Sequence, residues 1–161
     1  MQSLQSQILK LLTEDARYTA KQLSAMTGFT EEEVAKEITA LENQGVIVKY
    51  SAIVNSDSFN TVQALIEVKV TPKKLRGFDA VAEELNNFSE VQSLYLMSGG
   101  FDIAIFVEGK TLTDISRFVS EKLSTIDGVI STATHFILKK YKIEGQVTTK
   151  SDVEGRQIVQ A

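Results

Sequence analysis

Apolar positions recur at helical spacing over the first quarter of the chain and at alternating spacing over much of the remainder. Leu4, Ile8, Leu11 and Leu12 share one helical face, and Thr13-Glu14-Asp15 breaks the pattern, which predicts a short amphipathic helix. A second helix begins near Thr19, turns Leu23 and Met26 inward and stops at Gly28, where a helix C-terminal glycine belongs. Thr30 with Glu33 three residues on is a capping box, and Val34, Ile38 and Leu41 keep helical spacing until Gly45. Only a few residues separate the second and third helices, which is the helix-turn-helix arrangement. Val46 to Val54 is β-branched and aromatic, and predicts a strand that forms a wing beside the helices.

The polar stretch Asn55 to Thr61 reads as a linker. Beyond it, Val62 to Val70 alternates as a strand, closed by Thr71-Pro72, and Leu75, Phe78, Val81, Ala82 and Leu85 mark one side of a helix. Val91 to Glu108 reads as two strands joined by a tight turn at Gly99-Gly100. Both faces of this hairpin are largely apolar, so it is expected mid-sheet with something packed on each side. Leu112, Ile115, Phe118, Val119 and Leu123 predict another helix, ended near Asp127-Gly128, before a last strand from Val129 to Leu138. The fold class is therefore α+β. A winged helix-turn-helix over residues 1–54 and a linker over 55–61 precede a ferredoxin-like βαββαβ domain over 62–144, with a tail without sustained period over 145–161.

Two right-handed crossovers put both helices of the second domain on one sheet face and leave the other uncovered. In one choice of register the open face carries Leu65, Leu94, Leu96, Ala104, Phe106, Ile130, Phe136 and Leu138. An apolar surface of that extent marks an interface, and the expected occupant is a second subunit packed sheet to sheet.

Composition narrows the chemistry. The 161 residues are 43% hydrophobic and 24% charged, a globular balance, with a formal net charge of −4. That charge argues against an overall basic surface for nucleic acid, although a local patch is compatible with it and a dimer concentrates one. Cysteine is absent, which removes disulfides, thiolate metal sites and a cysteine nucleophile. No basic leader and no run of eighteen apolar residues is present, so a cytoplasmic protein without membrane contact is the expectation. No catalytic triad, phosphate-binding loop, cofactor motif or metal-ligand spacing is legible. The turn at Gly99-Gly100 leaves backbone N–H groups uncovered, where a small anion could approach, although Gly-Gly is also an ordinary hairpin turn.

In order and spacing, these features resemble the Lrp/AsnC family of feast/famine transcriptional regulators from Leu4 to about Lys142. The residues that carry the resemblance include Ile8, Leu11-Leu12, Arg17, Leu23, Gly28, Val34, Ile38 and the run Leu41-Glu42-x-x-Gly45-Val46-Ile47. In the second domain they are Gly99-Gly100-Phe101-Asp102, and Gly128-Val129 before the strand bearing Thr132 and Thr134. The resemblance implies a non-enzymatic, amino-acid-responsive DNA-binding regulator. It also implies a dimer, often assembled further into octamers, whose second (RAM) domains bind an amino acid or related molecule near subunit interfaces.

Carried onto this chain, the effector candidates are Ser98, Gly99, Gly100, Phe101 and Asp102, with Thr132 and Thr134 as hydroxyl neighbours. Backbone donors of the turn would meet a ligand carboxylate, and Asp102 would either meet an amino group or hold the turn through its own hydrogen bonds. The dimer-interface candidates are Leu94, Leu96, Ala104, Phe106, Ile130, Phe136 and Leu138. For DNA, Arg17, Lys21, Lys36 and Lys49 are the phosphate candidates, and Thr30 and Glu32 stand at the start of the third helix, where a carboxylate can accept from cytosine N4.

The chain departs from the family's pattern at two places. Gly100 stands where the family often has Asp, and Glu37 stands where it commonly has Arg. With Glu31, Glu32, Glu33, Glu37 and Glu42 around a single Lys36, the third helix repels phosphates, so DNA binding is expected to be weak per protomer and salt-sensitive. Acidic residues in a first helical turn also serve the helix itself, which covers Glu31 to Glu33 but not Glu37 or Glu42. Two rival readings follow. One is a sensor that acts through protein partners. The other is an enzyme like the sirohaem decarboxylases, for which His135, the single histidine, and the dispersed Arg17, Arg76, Arg117 and Arg156 are a poor match.

Overall fold

The N-terminal unit is built from three helices, each started by a hydroxyl side chain that satisfies an otherwise orphaned N–H. The computed structural model describes residues 3–55, 59–71 and 77–148, and the chain divides into two units between Ile53 and Val54. Helix α1 (Leu4–Glu14) is capped by Ser3, α2 (Ala20–Thr27) by Thr19 and α3 (Glu31–Asn43) by Thr30. Gly28 ends α2 at φ 78°, a left-handed conformation that costs other L-residues free energy. Ile8, Leu23, Val34 and Leu41 are fully buried where the helices meet, each stabilising the unit by roughly 1.5–3 kcal/mol relative to exposure. Met26, expected inward, is 50% exposed.

The wing strand expected over 46–54 does not form. After Gly45 the N–H groups of Val46 and Ile47 both return to the Leu41 carbonyl, and the segment then runs on without a ladder partner among the described residues. β-branched sequence favours a strand only where a neighbouring strand accepts its hydrogen bonds, and the rest of this unit is helical.

The C-terminal unit contains β1 (Val62–Val70), α4 (Asp79–Leu85), β2 (Val91–Leu96), β3 (Ile103–Gly109), α5 (Leu112–Arg117) and β4 (Val129–Phe136). The strands form an antiparallel sheet in the order β2-β3-β1-β4, the ferredoxin-like topology expected. β3 is central but β2 is an edge strand, so the hairpin is not wholly mid-sheet. The α5 pattern is interrupted as well. Phe118–Lys122 is a π turn and Leu123–Thr125 a 3-10 turn.

Ala64, Ile66, Val68 and Val70 of β1 and Ile103, Ile105 and Val107 of β3 pack with Val81 and Leu85 of α4 and Ile115 and Phe118 of the α5 region. Both helices therefore cover one face. On the other face Leu65 pairs with Phe106 and His135, Glu67 pairs with Ala104 and Ala133, and Tyr95 pairs with Ala104.

This register corrects the expected open face. Leu94 pairs with Ile105, Leu96 with Ile103 and Phe136 with Ala64. Directly opposed residues share a face, so all three side chains belong to the helix-covered side. Leu94 packs against the core there. Ile130, at 65% exposure, falls at the bulge that separates the Lys69–Ser131 and Val70–Val129 pairs, and Leu138, at 95%, lies beyond the end of β4. Of the interface candidates, Ala104 and Phe106 are on the open face, together with Leu65.

The expected tail starts as structure. Lys142–Ile143 (β5) pairs with Gln146–Val147 (β6), through a two-residue turn with Glu144 at φ 44° and Gly145 at φ 83°. Residues from 149 onward, which include Arg156, lie outside the described residues, as do Leu75 and Arg76. No helix among the described residues is long and apolar enough to cross a membrane.

Candidate DNA and effector sites

Thr30 is occupied by the fold. Its hydroxyl accepts from the Glu33 N–H and donates to Glu33 Oε2, which also accepts the Thr30 N–H at 2.8 Å. These bonds to the charged form hold the Glu33 carboxyl below its ordinary pKa. Glu31 and Glu32, in the same first turn, are exposed, and their charge complements the positive end of the helix. Lys36 is exposed one turn further along α3, and Glu37 is half-buried beside it. Glu42 has a structural task that no local pattern announces. Its Oε1 accepts from the Tyr50 hydroxyl at 2.9 Å, tying the extended segment back to α3.

Among the basic candidates, Arg17 is partnered. Its Nε and Nη2 donate to Asp15 Oδ1 and Oδ2 at 3.1 and 3.0 Å, while its side chain stays 89% exposed. The Arg17 hydrogen bonds hold the Asp15 carboxyl below its usual range, and Asp15 in turn raises the Arg17 guanidinium. Lys21, Lys36 and Lys49 are exposed and make no ion pair among the described residues.

The glycine turn is framed by Met97 and Asp102, whose backbone N–H and carbonyl meet at 2.8 Å. Ser98, Gly99 and Gly100 are exposed and Phe101 is half-buried. A Cβ on either glycine would meet nothing within 4 Å, so the space above the turn is open. Asp102 holds the turn in place. Its Oδ2 accepts the Val70 N–H at 2.8 Å and its N–H donates to the Val68 carbonyl at 3.0 Å. Thr132 and Thr134 are half-buried on β4, opposite Val68 and Ile66. β1 thus stands between them and the turn, two strand spacings away or about 10 Å, so the turn residues form a group and the threonines do not join it. A hollow of about 290 Å³ lined by Glu108, Asp114, Arg117, Phe118 and Lys122 sits at the opposite end of β3.

His135 has a partner that lies far away in sequence. Its Nε2 is 3.4 Å from Glu67 Oε1, across the β1–β4 pairing on the open face. No group of three or more histidines or carboxylates among the described residues is placed to hold a metal ion. The His–Glu pair lies on the sheet face opposite the two helices.

The profile described as Lrp/AsnC ligand binding domain matches residues 63–147, and one described as winged helix-turn-helix DNA-binding matches residues 1–48. The HTH-type transcriptional regulator YugG of Bacillus subtilis is 45% identical over 96% of this chain and 95% of its own length. The HTH-type transcriptional regulator LrpA of Pyrococcus horikoshii is 33% identical over 84% of this chain and 94% of its own. Among solved structures, the Neisseria meningitidis transcriptional regulator NMB0573 in complex with L-Met superposes with a TM-score of 0.71. It is 24% identical to this chain, and the match covers 94% of this chain and 96% of that one.

Proposed function

The chain belongs to the Lrp/AsnC family of transcriptional regulators, and from that premise we propose that it regulates transcription as an amino-acid-responsive, DNA-binding homo-oligomer of the cytoplasm. The observation that carries the DNA-binding half is the capped α2–α3 pair, with Gly28 and Thr30 setting a short turn and Lys36 exposed on the second helix. Lys21, Lys36, Lys49 and the outward-facing Arg17 are its phosphate contacts, with Glu32 as an acceptor for a base edge. Thr30 serves by capping the helix that carries them.

The sensing half is supported by the open glycine turn. Gly99 and Gly100 have open space where a Cβ would stand, and the backbone N–H groups of this turn suit the carboxylate of an amino acid. The L-Met complex of the Neisseria relative supports that ligand class. Asp102 acts as the brace of this site. Thr132 and Thr134 do not belong to its first contacts and would be reached only by a ligand that extends over β1.

Dimerisation is proposed through the open sheet face, with Leu65, Tyr95, Ala104 and Phe106 as its apolar part. Tyr95 and Phe106 already stack edge to face there, their ring centroids 6.0 Å apart. The relatives' names as regulators speak against an enzyme.

The test is titration of a fluorescent duplex carrying the protein's own upstream region, against an unrelated duplex, at several salt concentrations and with single amino acids. Tighter binding to the upstream duplex, modulated by one amino acid, is the expected result. Equal binding to both duplexes, indifferent to every amino acid, would reject it. The acidic α3 favours one other reading, a sensor whose first unit meets a protein. Under that reading Glu37→Arg leaves DNA affinity unchanged, whereas a DNA-reading α3 gains affinity from the same substitution.

A further inference from the structure

We propose that Lys139, Lys140 and Lys142, with the β5–β6 hairpin that frames them, form a second DNA-contact surface that binds phosphodiester oxygens of the duplex. This surface presupposes the DNA-binding reading and removes its main physical difficulty. A chain of net charge −4 presents DNA with an α3 rich in glutamate, yet phosphate neutralisation supplies most of the affinity of such proteins. In the first unit Arg17 is already shared with Asp15. Lys21, Lys36 and Lys49 remain available there, and positive charge elsewhere in the molecule adds to theirs.

The run Lys139-Lys140-Tyr141-Lys142 concentrates it. Within residues 137–148 the only carboxylate is Glu144, and none of the three lysines makes an ion pair among the described residues. Lys139 and Lys142 are exposed and Lys140 is half-buried. Lys139 Nζ stands 5.3 Å from the centre of the Tyr141 ring, an aromatic that is itself 68% exposed. The ring restrains the ammonium without neutralising it.

The backbone beneath is fixed rather than frayed. Thr148 Oγ1 donates to the Lys140 carbonyl at 2.5 Å and the Thr148 N–H to the Tyr141 carbonyl at 3.1 Å. Asn55 Nδ2 donates to the Thr148 carbonyl at 3.3 Å. Glu144 at φ 44° followed by Gly145 at φ 83° gives the tight turn whose twist suits two paired strands. A non-glycine residue at positive φ persists only where its surroundings hold it. Beside the hairpin, Lys139 and Lys140 line a hollow of about 140 Å³ with Thr61, Gln63 and Phe59. Its lining thus includes one hydroxyl residue and two lysines, a composition that suits phosphate oxygens and carries no means of reading bases.

The experiment uses the full chain and two fluorescent duplexes, one with the upstream region and one unrelated, titrated from low to physiological salt. Lys139→Gln, Lys140→Gln and Lys142→Gln combined are expected to weaken both duplexes by about tenfold or more at low salt. The log–log salt slope should become shallower by about 0.9 for each phosphate that is no longer neutralised. The ratio between the two duplexes should stay unchanged, because phosphate contacts do not specify sequence. Val147→Lys, at a position 70% exposed on the same hairpin, is expected to steepen the slope and so tests the surface by gain. An unchanged slope and affinity in both variants would overturn the proposal while leaving the helix-turn-helix reading intact. A wild-type chain that binds neither duplex would overturn both. Loss in the triple variant of binding to phosphatidylserine vesicles, with duplex binding unaltered, would reassign the surface to a membrane and overturn it too.

Discussion

At the scale of single residues, carboxylates do most of the structural work that their positions in sequence conceal. Asp102 is half-buried and ties β3 to the end of β1 by accepting the Val70 N–H at 2.8 Å. Asp102→Ala leaves that N–H without its partner, and a loss of about 1–3 kcal/mol is expected in urea unfolding. Asp102→Asn keeps an acceptor and should recover much of it. If both substitutions were neutral, Asp102 would be free to serve a ligand instead.

Glu33 supplies a pH dependence. Its folded-state pKa lies below the ordinary 4.5 because Thr30 donates to the carboxylate. The sign follows from linkage: the contribution is complete above the unfolded value and is lost as pH falls through the lowered folded value. Melting temperature should therefore drop more steeply below pH 4.5 in the wild type than in Glu33→Gln, as followed by circular dichroism. Parallel curves would show that the cap gains nothing from the charge.

At the scale of elements, the helices of the first unit follow from local chemistry. The φ of 78° at Gly28 is a backbone requirement, and a Cβ there would meet nothing within 4 Å. Gly28→Ala is therefore expected to cost about 1 kcal/mol through strain alone, with no clash to relieve. Thr30→Ala should cost a similar ~1 kcal/mol by removing the cap of α3. Both are measurable as shifts in the unfolding midpoint, and a stabilised Gly28→Ala would contradict the left-handed geometry.

The segment 46–54 shows where local preference stops deciding. Val46, Val48, Tyr50 and Ile53 have strand chemistry, but the helical unit has no strand to pair with among the described residues, and they remain exposed. The π turn at Phe118–Lys122 departs from the α-helical spacing used to read this stretch: Phe118 and Leu123 are both buried, five residues apart, a separation that a regular α-helix places on different sides and the wider π turn brings closer together.

At the scale of the whole molecule, the open sheet face is the feature with the largest consequence. Leu65, Tyr95 and Phe106 lie there around the half-exposed Glu67–His135 pair. If that face joins two subunits, Phe106→Glu buries an unpaired charge in the interface and should yield a monomer in sedimentation velocity at micromolar concentration. Leu94→Ala, on the helix-covered side, should lower stability by about 2–5 kcal/mol and leave the oligomeric state alone. The reverse pair of outcomes would restore the alternative face.

Period, caps and glycines, all properties of neighbours in sequence, were enough to determine the α1–α3 unit, the βαββαβ order and the place of the glycine turn. Hydrogen bonds within a helix close over four residues and a strand alternates at every second, so short windows carry that information. Tertiary structure alone decided which residues face which way across strands and which polar groups meet. A single register shift between Val91 and Ser93, or between Lys69 and Val70, alters the facing of every residue beyond it. Pairings such as Glu67 with His135, Glu42 with Tyr50 and Asp102 with Val70 join residues that no local period connects. Their energy comes from approach in space, which only the assembled sheet and helices supply.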